Sequence, residues 1–152
     1  MKKLIALLLA ACLMLGLMTT AFAADEKSND IVILYTNDVH TYIDKQAPEL
    51  TYAAIAALKQ SYQNAGKKVL LVDAGDHVQG TAYGSMDEGA SIIKLMNEAG
   101  YDLATPGNHE FDYKLPQLAK LTKQAKYEYL ACNFKYLGTG TTDITYKPYE
   151  IV

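Results

Sequence analysis

Two short, unbroken apolar runs constrain this chain more than any other feature: Ile31-Val32-Ile33-Leu34-Tyr35 and Val69-Leu70-Leu71-Val72. Runs of this length, rich in β-branched residues and without polar alternation, are expected of buried strands in a parallel sheet. Parallel neighbours cannot be joined by a tight turn and need a crossover, usually a helix. Residues 50–64 meet that need, with Ile55, Leu58 and Tyr62 at helical spacing on an alanine-rich background and Gly66 as a stop. The pattern then recurs. Residues 87–99 predict a helix with Ile92, Ile93, Leu95 and Met96 apolar and Gly100 closing it, and residues 101–105 predict a third strand. Residues 115–126 predict a third helix, and 127–131 a fourth strand by alternation. The implied class is α/β, with a mostly parallel sheet and helical crossovers in one compact domain.

The first residues read as an address. Lys2 and Lys3 precede an apolar run from Leu4 to Met18, and Ala21-Phe22-Ala23 offers the small residues that a signal peptidase reads. Residues 1–23 are therefore expected to be a signal peptide, with the mature chain (24–152) exported to periplasm, cell wall or medium. The run is too short for a stable membrane span. A competing reading takes Leu9-Ala10-Ala11-Cys12 as a lipoprotein box anchored at Cys12. Without the leader, Cys132 is the only cysteine, so no internal disulfide is available, and a buried structural thiol is expected there.

Charge narrows the partners. The net charge is −3, and all fourteen basic residues are lysines scattered singly or in pairs, which argues against nucleic-acid binding. No obligate protein partner is indicated. The lack of arginine also removes the fork that usually grips phosphate oxygens, so a phosphate-handling chain of this composition needs another cation.

Polar residues with chemical potential stand where the predicted strands end. Strand one runs into Asn37-Asp38-Val39-His40, strand two into Asp73-Ala74-Gly75-Asp76-His77, and strand three into Pro106-Gly107-Asn108-His109-Glu110-Phe111-Asp112. Ligands of open α/β sheets bind beyond the carboxyl ends of the strands. All three histidines, His40, His77 and His109, fall in these segments. Asp38 and His40, one residue apart, would share a side if the chain were extended, and Asp76 adds a carboxylate able to bridge two cations. Carboxylate, imidazole and amide donors suit Zn²⁺, Mn²⁺ or Fe²⁺. Two such ions can bind phosphate oxygens and activate water. Taken singly, Asp-x-His is common, Gly-Asp is an ordinary turn, and Gly-Asn-His-Glu can be a loop with a helix cap. Their order behind three strands is what points to a metal site.

Asp38-x-His40, Gly75-Asp76-x-x-Gln79-Gly80 and Gly107-Asn108-His109-Glu110-Phe111-Asp112 resemble the first three motifs of the calcineurin-like metallophosphoesterases. The Tyr-Thr-Asn-Asp-Val-His opening is similar to the bacterial 5′-nucleotidase and 2′,3′-cyclic phosphodiesterase branch. The resemblance implies an αββα sandwich, of which this chain would be the N-terminal half, two divalent metal ions, and a nucleotide or related phosphate-ester substrate. It implies that Asp38 and His40 bind one metal, Asp76 bridges both, and Asn108 binds the second. His109 and Asp112 would be the catalytic dyad, with Asn108 and His109 also facing substrate. His77 has no role in the pattern and is expected in the loop beside the site, as a supporting partner of the ligands or, as the lesser alternative, a ligand itself; Glu110 is expected to be structural or capping. The family's later motifs add two histidines, yet none follows His109 here. The chain is thus expected to be part of a longer catalytic domain, stopping as another strand opens at 149–152, and inactive alone. The alternative is a non-catalytic metal-binding surface module.

Overall fold

The computed structural model describes residues 30–43, 51–135, 144 and 146–152. The expected signal peptide, the lipoprotein alternative at Cys12 and the first residue of the first predicted helix lie outside them. Strand β1 (Ile31–Thr36) leads to helix α1 (Tyr52–Asn64), and β2 (Lys68–Asp73) to a short helix α2 (Ala82–Ser85) and then α3 (Ala90–Ala99). β3 (Leu103–Ala104) is followed by a 3₁₀ turn (His109–Phe111), α4 (Lys114–Gln124) and β4 (Glu128–Tyr129). The four strands form one parallel sheet in the order β1-β2-β3-β4, with Ile31 opposite Lys68 and Thr36 opposite Asp73. This is the α/β fold with helical crossovers that the apolar runs predict.

Local signals explain the element ends. Thr51 caps α1 by accepting the Ala54 amide at 3.1 Å, filling one of the orphan donors of a helix start. Gly100 closes α3 in the left-handed conformation (φ +75°), which glycine adopts without a Cβ penalty. The expected start of this helix at 87 moves to 90, because residues 87–89 form a turn in which Gly89 has φ +91°.

Strands stepping in one direction with right-handed crossovers put their helices on one face of the sheet. There Leu71, Ile92, Ile93, Met96 and Leu121 are fully buried, joined by Tyr52, Ile55 and Tyr101. Each such aliphatic side chain contributes about 1.5–3 kcal/mol relative to exposure. The opposite face corrects the expectation of a doubly buried β1: Ile31, Ile33 and Tyr35 are 62–73% exposed, since no described element covers them. Three further expectations also give way. Leu58 is half-exposed because α1 turns Tyr52 and Ile55 inward instead. Cys132 is exposed, in the turn after β4 and outside the core. No strand forms at 149–152; only an isolated parallel bridge pairs Leu130 with Lys147, and Pro148, which lacks an N–H, follows it.

Candidate metal centre

All three motif segments converge at the carboxyl edge of the sheet. The first loop is stitched to the second through its backbone: the Ala74 amide donates to Thr36 O at 2.8 Å, the Asp38 amide to Gly75 O at 3.1 Å and the His40 amide to Asp76 O at 2.9 Å. Asp38, His40 and Asp76 have φ of +55°, +48° and +60°. Such left-handed backbone is uncommon away from glycine and is held only when the surroundings over-determine it. The extended geometry expected for Asp38-Val39-His40 is therefore corrected. β1 ends at Thr36, and the two side chains approach across a turn, His40 Nε2 lying 3.8 Å from Asp38 Oδ1.

Close approach of the second and third loops depends on glycine at two positions. A Cβ on Gly75 (φ +104°) would come within 2.5 Å of the Gly107 nitrogen, and one on Gly107 would run into the Asp76 carboxylate. Gly107→Ala should push the loops apart, lowering stability by about 1–3 kcal/mol in a denaturant melt, the usual cost of overpacking. Metal binding should fall with it.

His40, Asp76 and His109 each offer a ligand atom, all within 4.8 Å of one another. Donors this close would suit one divalent ion, whose bonds to such ligands run roughly 2.0–2.2 Å. The His40 ring is oriented for it: Nδ1 donates to Gln79 O at 3.1 Å, which leaves the Nε2 lone pair free to ligate. Imidazole and carboxylate donors together suit Zn²⁺, Mn²⁺ or Fe²⁺. Asp38, though near His40, stands outside the group of three, with its side chain 57% exposed. Asn108 is exposed at the start of the 3₁₀ turn, beside a cavity of about 390 Å³ bounded by Phe111, Ala131, Asn133 and Phe134.

His109 and Asp112 form the expected pair, with Nδ1 donating to Asp112 Oδ2 at 2.7 Å. That hydrogen bond, opposed by desolvation and aided by the Asp112 charge, raises the imidazole above its ordinary pKa. The His109 ring meets that of His40 edge to face at 4.9 Å, and the His109 amide donates to Asp76 Oδ1 at 2.9 Å.

Beneath lies a layer whose hydrogen-bond partners sequence reasoning missed. His77 is fully buried, its Nδ1 donating to Asp73 Oδ1 and its Nε2 facing the Tyr129 hydroxyl, each at 2.7 Å. Burial alone would depress its pKa, but the Asp73 hydrogen bond and the Glu110 and Asp73 charges outweigh it and raise it. Asp73 also accepts from Thr36 Oγ1 at 2.5 Å, and Thr36 pairs with Tyr101 at 2.9 Å. The available signal was an aspartate ending an apolar strand four residues before a histidine.

Known proteins resemble this chain in sequence and in fold. The family model described as calcineurin-like phosphoesterase matches residues 31–149. Human 5′-nucleotidase is 33% identical over 137 aligned residues, covering 81% of this chain and 24% of that protein. The structure of Haemophilus influenzae NAD nucleotidase superposes with a TM-score of 0.68 at 27% identity, covering 79% of this chain and 26% of that one. A Bacillus subtilis calcineurin-like phosphoesterase does so at 0.63 and 30%, covering 79% and 41%. The chain spans about a quarter of the length of the curated relatives it matches. Three motif loops closing on one edge of a parallel sheet, together with a family match over most of the chain, lead to one assignment: the chain belongs to the calcineurin-like phosphoesterase family.

Proposed function

We propose that the full-length protein is an exported, two-metal phosphoesterase that hydrolyses nucleotide phosphate esters, as the names of its 5′-nucleotidase relatives suggest. The observation that carries this reading is the convergence of His40, Asp76 and His109 from three separate loops. Asp38 and His40 are assigned to one ion, Asp76 to both and Asn108 to the other. When bound, the ions would neutralise phosphoryl oxygens and supply an activated water, in a chain that has no arginine for the purpose. His109, steadied at Nδ1 by Asp112, presents its other edge to the substrate and can donate a proton or hydrogen bond to the leaving oxygen. Residues 24–152 are taken as the first part of a longer catalytic domain, since Asp38, His40, Asp76 and Asn108 do not by themselves complete two coordination shells. Residues 1–23 are taken as a cleaved leader. Among the described residues, no helix is long and apolar enough to cross a membrane.

Export and activity can be read from one preparation. Mature full-length protein should begin at Ala24 by mass spectrometry. It should release phosphate from a nucleoside monophosphate, lose that activity to a chelator and regain it with Mn²⁺. Protein that holds divalent ions yet turns over neither nucleotides nor simple phosphodiesters would be a metal-binding module instead.

A further inference from the structure

We propose that Glu110 is a positioning residue that holds Asp76 in place for metal, an inference that rests on the two-metal reading above. Glu110 is fully buried, and four backbone amides from two loops converge on its carboxylate. Oε2 accepts from Asp76 N at 2.8 Å and Gly107 N at 2.6 Å. Oε1 accepts from His77 N at 2.8 Å and Val78 N at 3.2 Å. A buried carboxylate is tolerated only when it is fully hydrogen-bonded or paired. Here the four amides are joined by His77 Nδ1, 3.4 Å from Oε1.

Successive amides pointing to one side make a concavity that attracts anions. At residues 76–78 that concavity is filled by the protein's own carboxylate, so these amides are not available to a substrate phosphate. What the contact does is lock Asp76. Its amide is held by Glu110, its carbonyl accepts from His40 N at 2.9 Å, and its Oδ1 accepts from His109 N at 2.9 Å. The left-handed backbone at Asp76 (φ +60°) is thereby kept, and the carboxylate is fixed relative to both histidines. Glu110 is three residues from Gly107 and more than thirty from Asp76 in sequence, so one side chain couples the second motif to the third.

The test uses full-length Glu110→Gln, Glu110→Asp and Asp76→Asn side by side. Glutamine keeps the shape but sets an NH₂ group against one pair of amide donors. In Glu110→Gln, apparent Mn²⁺ affinity should fall roughly 10–100-fold, as for loss of a group that orients a ligand, while kcat recovers at saturating Mn²⁺. In the metal-free protein, amide exchange at Asp76, His77, Val78 and Gly107 should quicken, with other sheet amides unchanged. Glu110→Asp, which keeps the charge on a shorter stem, should fall between. A folded Glu110→Gln with wild-type Mn²⁺ affinity and amide protection would overturn the proposal. So would failure of both Glu110 variants to fold, which would make Glu110 a determinant of the whole fold. If Asp76→Asn keeps both ions, Asp76 loses its bridging role, and if the unmutated full-length protein holds fewer than two ions, the two-metal reading fails; both outcomes are separate from the Glu110 result, because the exchange measurement needs no metal.

Discussion

Replacing His109 with alanine in the full-length protein should lower turnover by roughly 10²–10⁴-fold, the range for a positioned acid–base group, while fold and bound metal persist. The imidazole is half-exposed, steadied by Asp112 at 2.7 Å, and projects from a short 3₁₀ turn. Removing it should therefore cost chemistry and not packing. Asp112→Asn should cost less, since an amide oxygen can still accept from Nδ1–H, while the carboxylate hydrogen bond and charge that raise the imidazole pKa are weakened or lost. Steady-state kcat with elemental analysis checks both variants. His109 lies within ligand distance of His40 and Asp76, so loss of metal along with activity in His109→Ala would make it a ligand and overturn the acid–base role.

Asp76→Asn should have the larger effect on metal. Asparagine keeps the size of the side chain and an oxygen able to accept the His109 amide, so the loop should hold its shape while the bridging charge is gone. Elemental analysis should show both ions depleted. Turnover should drop by more than the roughly 10–100-fold typical of losing an outer hydrogen-bond partner of a metal ligand. Two ions retained per chain would remove Asp76 from its shared position.

The candidate site was legible because its residues sit in compact motifs at strand ends. Asp38, His40, Asp76, Asn108, His109 and Asp112 all lie on loops at one edge of the sheet, and the His109–Asp112 pair follows from a three-residue spacing within one turn. What escaped notice was long-range. Asp73 and His77 form a buried pair with Thr36 and Tyr129, residues 37 and 52 positions from their partners, and no local pattern distinguishes such an aspartate from a strand cap. The exposure of Ile31, Ile33 and Tyr35 was equally hidden. An unbroken apolar run states that a strand is suited to burial and is silent on which of its faces the neighbouring elements cover.

By itself the sequence determined the parallel α/β class, the helical crossovers between strands and the three loops that carry the donors, because hydrophobic period and strand-end chemistry are local properties. Tertiary structure alone decided which donors meet. It put His109 with His40 and Asp76 and left Asp38 at the margin, and it turned Asp38-Val39-His40 through left-handed backbone instead of an extended pleat. It also gave Glu110 four amides to hold. The physical reason is common to all three. Left-handed conformations and a buried charge are each unfavourable in isolation, and they persist here only because loops distant in sequence supply the compensating hydrogen bonds once the sheet has brought them together.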